Sequence, residues 1–190
     1  MKKVLALMSI ALLLLQALPA TSQSPPKSFA TWCQQRASVP IATRHTIDVL
    51  LEQAGTQDCQ QAASKLSRDN YLSIYRNQIS DVKPLASLTK LKMLYLNNNK
   101  ITDVNPLTSL TNLRLLLLNA NQINDVKPLA SLTRLKELDL GGNQISDVKP
   151  LANLTALRRL FINGNNQITE KDCPVKRKIC KSDRPSFDWR

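Results

Sequence analysis

Apolar residues recur through the middle of this chain with a spacing that fits neither one long helix nor one long strand. Leu91, Leu113, Leu135 and Leu157 stand 22 residues apart, and from Leu72 to Ile168 each block repeats the same order of apolar and polar positions. In the block that begins at Leu91, residues Leu91, Leu94, Leu96, Asn99, Ile101, Val104, Leu107 and Leu110 recur in the neighbouring blocks and are read as facing inward. Self-similarity at this period signals a solenoid, because one unit cannot bury its apolar face alone and stacking supplies a continuous core. Around Leu94 and Leu96 apolar residues alternate with variable ones, the period of a short strand with one buried face. The DVxPL segment then returns as a short helical or 3-10 stretch. Asp103 is placed to cap its amides, and Pro106 falls early, where a missing amide costs little.

One asparagine recurs in every block, at Asn77, Asn99, Asn121, Asn143 and Asn165. Turning the chain sharply toward the core leaves backbone amides and carbonyls without strand partners, and an Asn side chain carries both donors and an acceptor. The column is therefore read as structural, not as a binding site.

The pattern LxxLxLxxNxIxDVxPLxxLTx, over residues 72–168, resembles the 22-residue leucine-rich repeats of bacterial internalin-like proteins. The resemblance implies an α/β leucine-rich repeat solenoid of about five repeats. Its short parallel strands would line a concave face used for binding proteins, with helical or 3-10 segments on the convex side. Both ends depart from the pattern. Asp69 stands where later repeats have Leu, Asn165 and Asn166 come together in the last repeat, and Lys171 replaces the core Val. No cell-wall anchoring signal is found after the array.

Residues 29–66 lack the period. Ile41, Ile47, Leu50 and Leu51 give an apolar helical face and Gly55 a stop, so this stretch is expected to form helices that cover the exposed apolar end of the first repeat. At the start, two lysines, an apolar run from Val4 to Leu15 and small residues at Ala20 and Ser22 read as a secretory signal peptide. The run is too short for a membrane span and no second one follows, so no stable membrane anchor is expected once the leader is removed. The expected organisation is a signal peptide at 1–22, an N-terminal helical cap at 23–71, leucine-rich repeats at 72–168, and a C-terminal cap and tail at 169–190. The short, lysine-led leader points to a bacterial protein secreted or held in the periplasm. In the tail, SDRPSFDWR, Phe187 and Trp189 either pack on the last turn or belong to a disordered end.

Charge and cysteine usage sharpen this. The formal net charge is +12, of which +6 falls in 72–168 and +3 in 169–190. In an exported chain such a balance meets anionic lipids, glycans and acidic proteins instead of nucleic acid. Four cysteines in an oxidising compartment suggest two disulfides. Cys33 and Cys59 precede the array while Cys173 and Cys180 follow it. Five stacked strands would separate the two ends by roughly 20 Å, against about 7 Å between the Cα atoms of a disulfide. The expected pairs are Cys33 with Cys59 and Cys173 with Cys180. A single histidine and no CxxC argue against a metal site.

Since the buried positions are committed, recognition is expected on the outward strand positions. One column holds Tyr71, Met93, Leu115, Glu137 and Arg159, the next Ser73, Tyr95, Leu117, Asp139 and Phe161, and Tyr75 follows on the first strand. Tyr71, Tyr75, Met93, Tyr95, Leu115 and Leu117 would form an apolar, aromatic patch on a wet surface, of the kind that marks partner sites. Alternatively Leu115 and Leu117 shield each other or contact a second copy. Glu137 and Asp139 beside Arg159 and Phe161 make an acidic spot. It either selects a basic group on a partner or is a surface ion pair worth under about 1 kcal/mol. On the opposite side Lys83, Lys127 and Lys149 form a column that Asn105 interrupts, with Lys90 and Arg134 added.

Enzyme chemistry has little to start from. His45 lies in the predicted cap, no activated Ser, Cys or carboxylate pair is identifiable, and only four glycines are present, none in a phosphate-binding loop. The expectation is an exported, non-catalytic protein-binding module without cofactor or metal, and without nucleic acid among its partners. The alternative is a binder of an anionic envelope polymer through the convex face and the CPVKRKIC loop.

Overall fold

The computed structural model describes residues 26–165, 168, 170–175, 180 and 181. The expected leader, the second asparagine of the Asn165–Asn166 pair, the basic residues of the CPVKRKIC loop and the tail with Phe187 and Trp189 lie outside the described residues.

Three helices precede the array: α1 at Phe29–Gln34, α2 at Ile41–Ala54 and α3 at Cys59–Leu66. Ser28 caps α1 by accepting from the Thr31 amide, and Asp58 caps α3 by accepting from the Gln61 amide. Gly55, at φ 63°, closes α2 in the left-handed conformation that glycine adopts without steric cost. Ile47, Leu50 and Leu51 are buried as the periodicity requires. Ile41, expected on the same face, is 82% exposed because it is the first residue of α2, ahead of the turn that packs. Thr43 and Thr46 take the inner positions instead. Thr43 donates to Asp81 Oδ2 at 2.5 Å and Thr46 to the Asp81 carbonyl at 2.6 Å, which fixes α2 to the first repeat.

The strands are β1 Tyr71–Ser73, β2 Met93–Tyr95, β3 Leu115–Leu117, β4 Glu137–Asp139, β5 Arg159–Phe161 and β6 Cys180–Lys181. They form one parallel sheet in sequence order. The array alone predicts five strands. The sixth comes from the C-terminal segment, where the Cys173–Cys180 disulfide, with Cα atoms 6.0 Å apart, ties Cys180 beside β5. The other disulfide joins Cys33 in α1 to the first residue of α3, Cys59, at a Cα separation of 5.6 Å. On the convex side each DVxPL segment is a 3-10 helix, at Lys83–Leu85, Asn105–Ser109, Lys127–Ser131 and Lys149–Asn153, followed by Glu170–Asp172. The preceding aspartate accepts from the amide two residues on, as Asp103 Oδ1 does from Asn105 at 2.8 Å. Between sheet and 3-10 helices runs one continuous core of the repeated Leu, Ile and Val positions, which also takes in Phe29, Ile47 and Leu50 of the cap.

The asparagines hold the turns that leave the sheet. Asn121 Nδ2 donates to the carbonyls of Leu96 and Leu118 at 3.0 and 2.9 Å, and its Oδ1 accepts from the Ile101 amide at 3.0 Å. Asn99, Asn143 and Asn165 repeat this geometry. Asn77 departs from it: its side chain is partly exposed and donates only to the nearby Tyr75 carbonyl, because no repeat precedes it to be bridged.

A second column was not legible in the sequence. Arg76, Asn98, Ala120, Gly142 and Gly164, one per repeat, all have positive φ, between 55° and 69°. From this conformation the first four donate their amides to the next repeat, as Ala120 does to the Gly141 carbonyl at 2.8 Å. Non-glycine residues pay about 1–2 kcal/mol for this region, partly matched by the lower chain entropy they bring to the unfolded state. Ala120 is exposed, so Ala120→Gly loses no packing. It is expected to raise stability by about 0.5–1 kcal/mol, measurable as a higher urea midpoint at unchanged slope.

Candidate functional site

In-register parallel pairing lines up like positions across the sheet. Tyr71, Met93, Leu115, Glu137 and Arg159 form one row, and Ser73, Tyr95, Leu117, Asp139 and Phe161 a second. The intervening residues Leu72, Leu94, Leu116, Leu138 and Leu160 are buried in the core, so both rows point out of the other face by strand alternation.

The two ends of this face differ. At the cap end Tyr71, Tyr75 and Met93 are 45%, 49% and 36% exposed. Tyr71 meets Tyr95 edge-on, with ring centroids 5.2 Å apart and planes at 75°. Such a pair keeps two large rings in fixed positions at little rotamer cost. Beside it lies a hollow of about 300 Å³ lined by Gln53 and Leu66 of the cap and by Asp69, Asn70 and Tyr71. Gln53 and Leu66 fall outside the repeat, and periodicity gives no signal for them.

Toward β5 the expectation of a wet surface fails. Leu117 is 3% exposed, Phe161 2%, Glu137 8% and Asp139 2%, and Leu115 is only partly open. Leu117 and Phe161 flank Asp139 in register, and Glu137 ion-pairs with Arg159 in the adjacent strand. Asp139 Oδ1 accepts from the Gly141 amide at 3.0 Å. Further along, the side-chain oxygen of Asn119 is buried without a hydrogen-bond partner among the described residues. The continuous six-residue apolar patch is thus reduced to an open aromatic end and a covered acidic and apolar end.

The convex side carries exposed Lys83, Lys127 and Lys149, each two residues after an aspartate, Asp81, Asp125 and Asp147. Lys83 Nζ lies 3.9 Å from Asp81 Oδ2, and Arg134 donates to Asn112. Alternating charge of this kind weakens the net field of the lysine column. His45 is an exposed cap residue whose Nε2 donates to the Asn77 carbonyl at 2.5 Å, and it joins no nucleophile or acid. Among the described residues no group of three His, Cys, Asp or Glu side chains is placed to hold a metal ion, and no helix is long and apolar enough to cross a membrane.

Comparison with known proteins accords with this geometry. A family model described as leucine-rich repeats (2 copies) matches residues 70–109, 111–153 and 133–173. Among solved structures, an internalin of Listeria monocytogenes is similar at 47% identity and a TM-score of 0.50, over 50% of this chain and 28% of its own. A second internalin of that organism is similar at 36% identity and a TM-score of 0.53, over 63% of this chain and 54% of its own. A leucine-rich repeat protein of Leptospira interrogans is similar at 32% identity and a TM-score of 0.51, over 62% of this chain and 29% of its own. The chain therefore spans between about a quarter and about half of the length of these relatives. No curated protein matches it.

Proposed function

Given that the chain belongs to the leucine-rich repeat family, we propose that it is an exported, non-catalytic module that binds a protein partner through the concave sheet. Repeat arrays of this kind present an extended concave surface for recognition. The observation that carries the reading is the cluster of Tyr71, Tyr75 and Met93, large apolar side chains held open to water beside Tyr95. Aromatic and methionine side chains of this sort are enriched among residues that dominate binding energy. Two disulfides and no free cysteine among the described residues favour an oxidising compartment, periplasmic or extracellular.

The triple substitution Tyr71→Ala, Tyr75→Ala, Met93→Ala tests the site. All three residues are exposed, so the melting temperature is expected to hold while capture of partners from the extracellular or periplasmic fraction falls by about tenfold or more. Capture at the parental level by a folded triple variant would reject the site. The second reading, an anionic envelope polymer on the basic convex face, is separated by salt. Exposed charge pairs weaken over a screening length of about 8 Å at physiological ionic strength, whereas an apolar contact persists.

A further inference from the structure

We infer that the outer edge of β1 takes up an extended segment of the protein partner as an added strand, with a lysine or arginine of that segment at Asp69. This rests on the partner being a protein and adds which part of it is held. The later strands show what β1 lacks. Met93, Leu115, Glu137 and Arg159 donate their amides to carbonyls of the preceding repeat at 3.0 to 3.2 Å. The carbonyls of Tyr95, Leu117, Asp139 and Phe161 accept from amides of the preceding repeat at 2.8 to 3.0 Å. On β1 the matching residues are Tyr71 and Ser73, and no repeat precedes them. Among the described residues neither the Tyr71 amide nor the Ser73 carbonyl makes a hydrogen bond.

The cap supplies helices there and no strand. Its polar contacts go to the 3-10 side of the first repeat, where the Phe29 amide donates to Ser87 and Thr43 and Thr46 bond Asp81. At the other end of the sheet, by contrast, β6 pairs with β5 and closes that edge. The hollow of about 300 Å³ follows the open edge, since residues 69–73 line it together with Gln53 and Leu66 of the cap. A free main-chain donor and acceptor on one strand edge are matched by the carbonyl and amide of another extended chain. Leu66 and the exposed Tyr71 ring suit aliphatic or aromatic side chains on that chain. Asp69 is exposed and forms no ion pair among the described residues, which favours a cation at that end.

Two measurements on the full chain test this. The first follows amide hydrogen exchange by NMR in the free chain. The Tyr71 and Ser73 amides are expected to exchange about a hundredfold faster than those of Met93 and Leu115. Equal protection would mean that a second copy or another segment of the chain already fills the edge, and would overturn the inference. The second selects peptides from a phage-displayed library of random heptapeptides. Selected peptides are expected to slow exchange at Tyr71 and Ser73, and to lose affinity when alternate residues of the peptide are N-methylated while the residues between tolerate it. Ser73→Pro removes an edge amide that strand alternation points away from β2, so the ladder inside the sheet is kept. It is expected to weaken the peptides by about tenfold or more, and Asp69→Asn by about threefold. Selection of no peptide, or N-methyl tolerance without alternation, would overturn the inference. So would binding that survives Ser73→Pro but falls in the Tyr71, Tyr75 and Met93 triple variant, a result that leaves the concave site standing. Partner capture at the parental level by that triple variant would instead reject the concave site and leave the exchange result untouched.

Discussion

Asn121→Leu is expected to lower the unfolding free energy by about 3 kcal/mol, although it exchanges one side chain for another of similar size. The hydrogen bonds show where the loss falls. The carbonyls of Leu96 and Leu118 each keep a second asparagine donor, from Asn99 at 2.8 Å and Asn143 at 3.0 Å. The Ile101 amide has no such reserve, since it donates to Asn121 Oδ1 in the buried interior. One orphaned amide costs about 1–3 kcal/mol, and two shared carbonyl bonds add the remainder. For a chain of this size the fall corresponds to roughly 8 °C in melting temperature. Asn77→Leu is the internal control. Asn77 donates only to Tyr75 in the same loop and bridges nothing, so its loss is expected to stay within about 0.5 kcal/mol. Equal melting temperatures for the Asn121 variant and the parent would reject the structural role.

The second large effect is expected from Cys33→Ser together with Cys59→Ser. The bond closes a loop over a sequence separation of 26, for which chain entropy predicts about 3 kcal/mol of stabilisation. It also ties α1 to α3, while α2 is the helix held to the array by Thr43 and Thr46. Without the crosslink the cap rests on those bonds, on the Phe29 amide donating to Ser87 Oγ at 3.0 Å, on His45 donating to the Asn77 carbonyl, and on the apolar contacts of Phe29, Ile47 and Leu50 with the shared core. Its helices are expected to melt ahead of the repeats, giving a helical circular-dichroism transition below the main one. A single transition at the parental temperature would show that the array, not the disulfide, holds the cap.

How far the chain could be read in advance depends on what sets each property. Buried columns such as Leu94, Leu116 and Leu138 are fixed by stacking alone, so period predicts them, and the cysteine pairing follows from the length of the stack. The left-handed column was hidden because glycine fills only two of its five places, with Arg76, Asn98 and Ala120 in the others. The outward positions were read correctly in direction and wrongly in exposure at Leu117, Glu137, Asp139 and Phe161. Alternation sets where a strand residue points, whereas exposure depends on what lies above it, and no local pattern records that. Asn77 was misassigned for a related reason. Its role depends on a neighbour that the first repeat does not have.

The asparagine ladder also gives the array a direction of growth. Each asparagine completes the repeat before it, so a repeat is finished only by its successor, as Ile145 is by Asn165. A whole 22-residue unit copied into or cut out of the middle leaves every such debt between neighbours settled. A cut at the far end does not, because the last isoleucine amide would then face water or nothing. Lengthening by internal duplication is therefore the inexpensive route for such a chain, whereas a cut that removes Asn165 leaves the Ile145 amide without its acceptor.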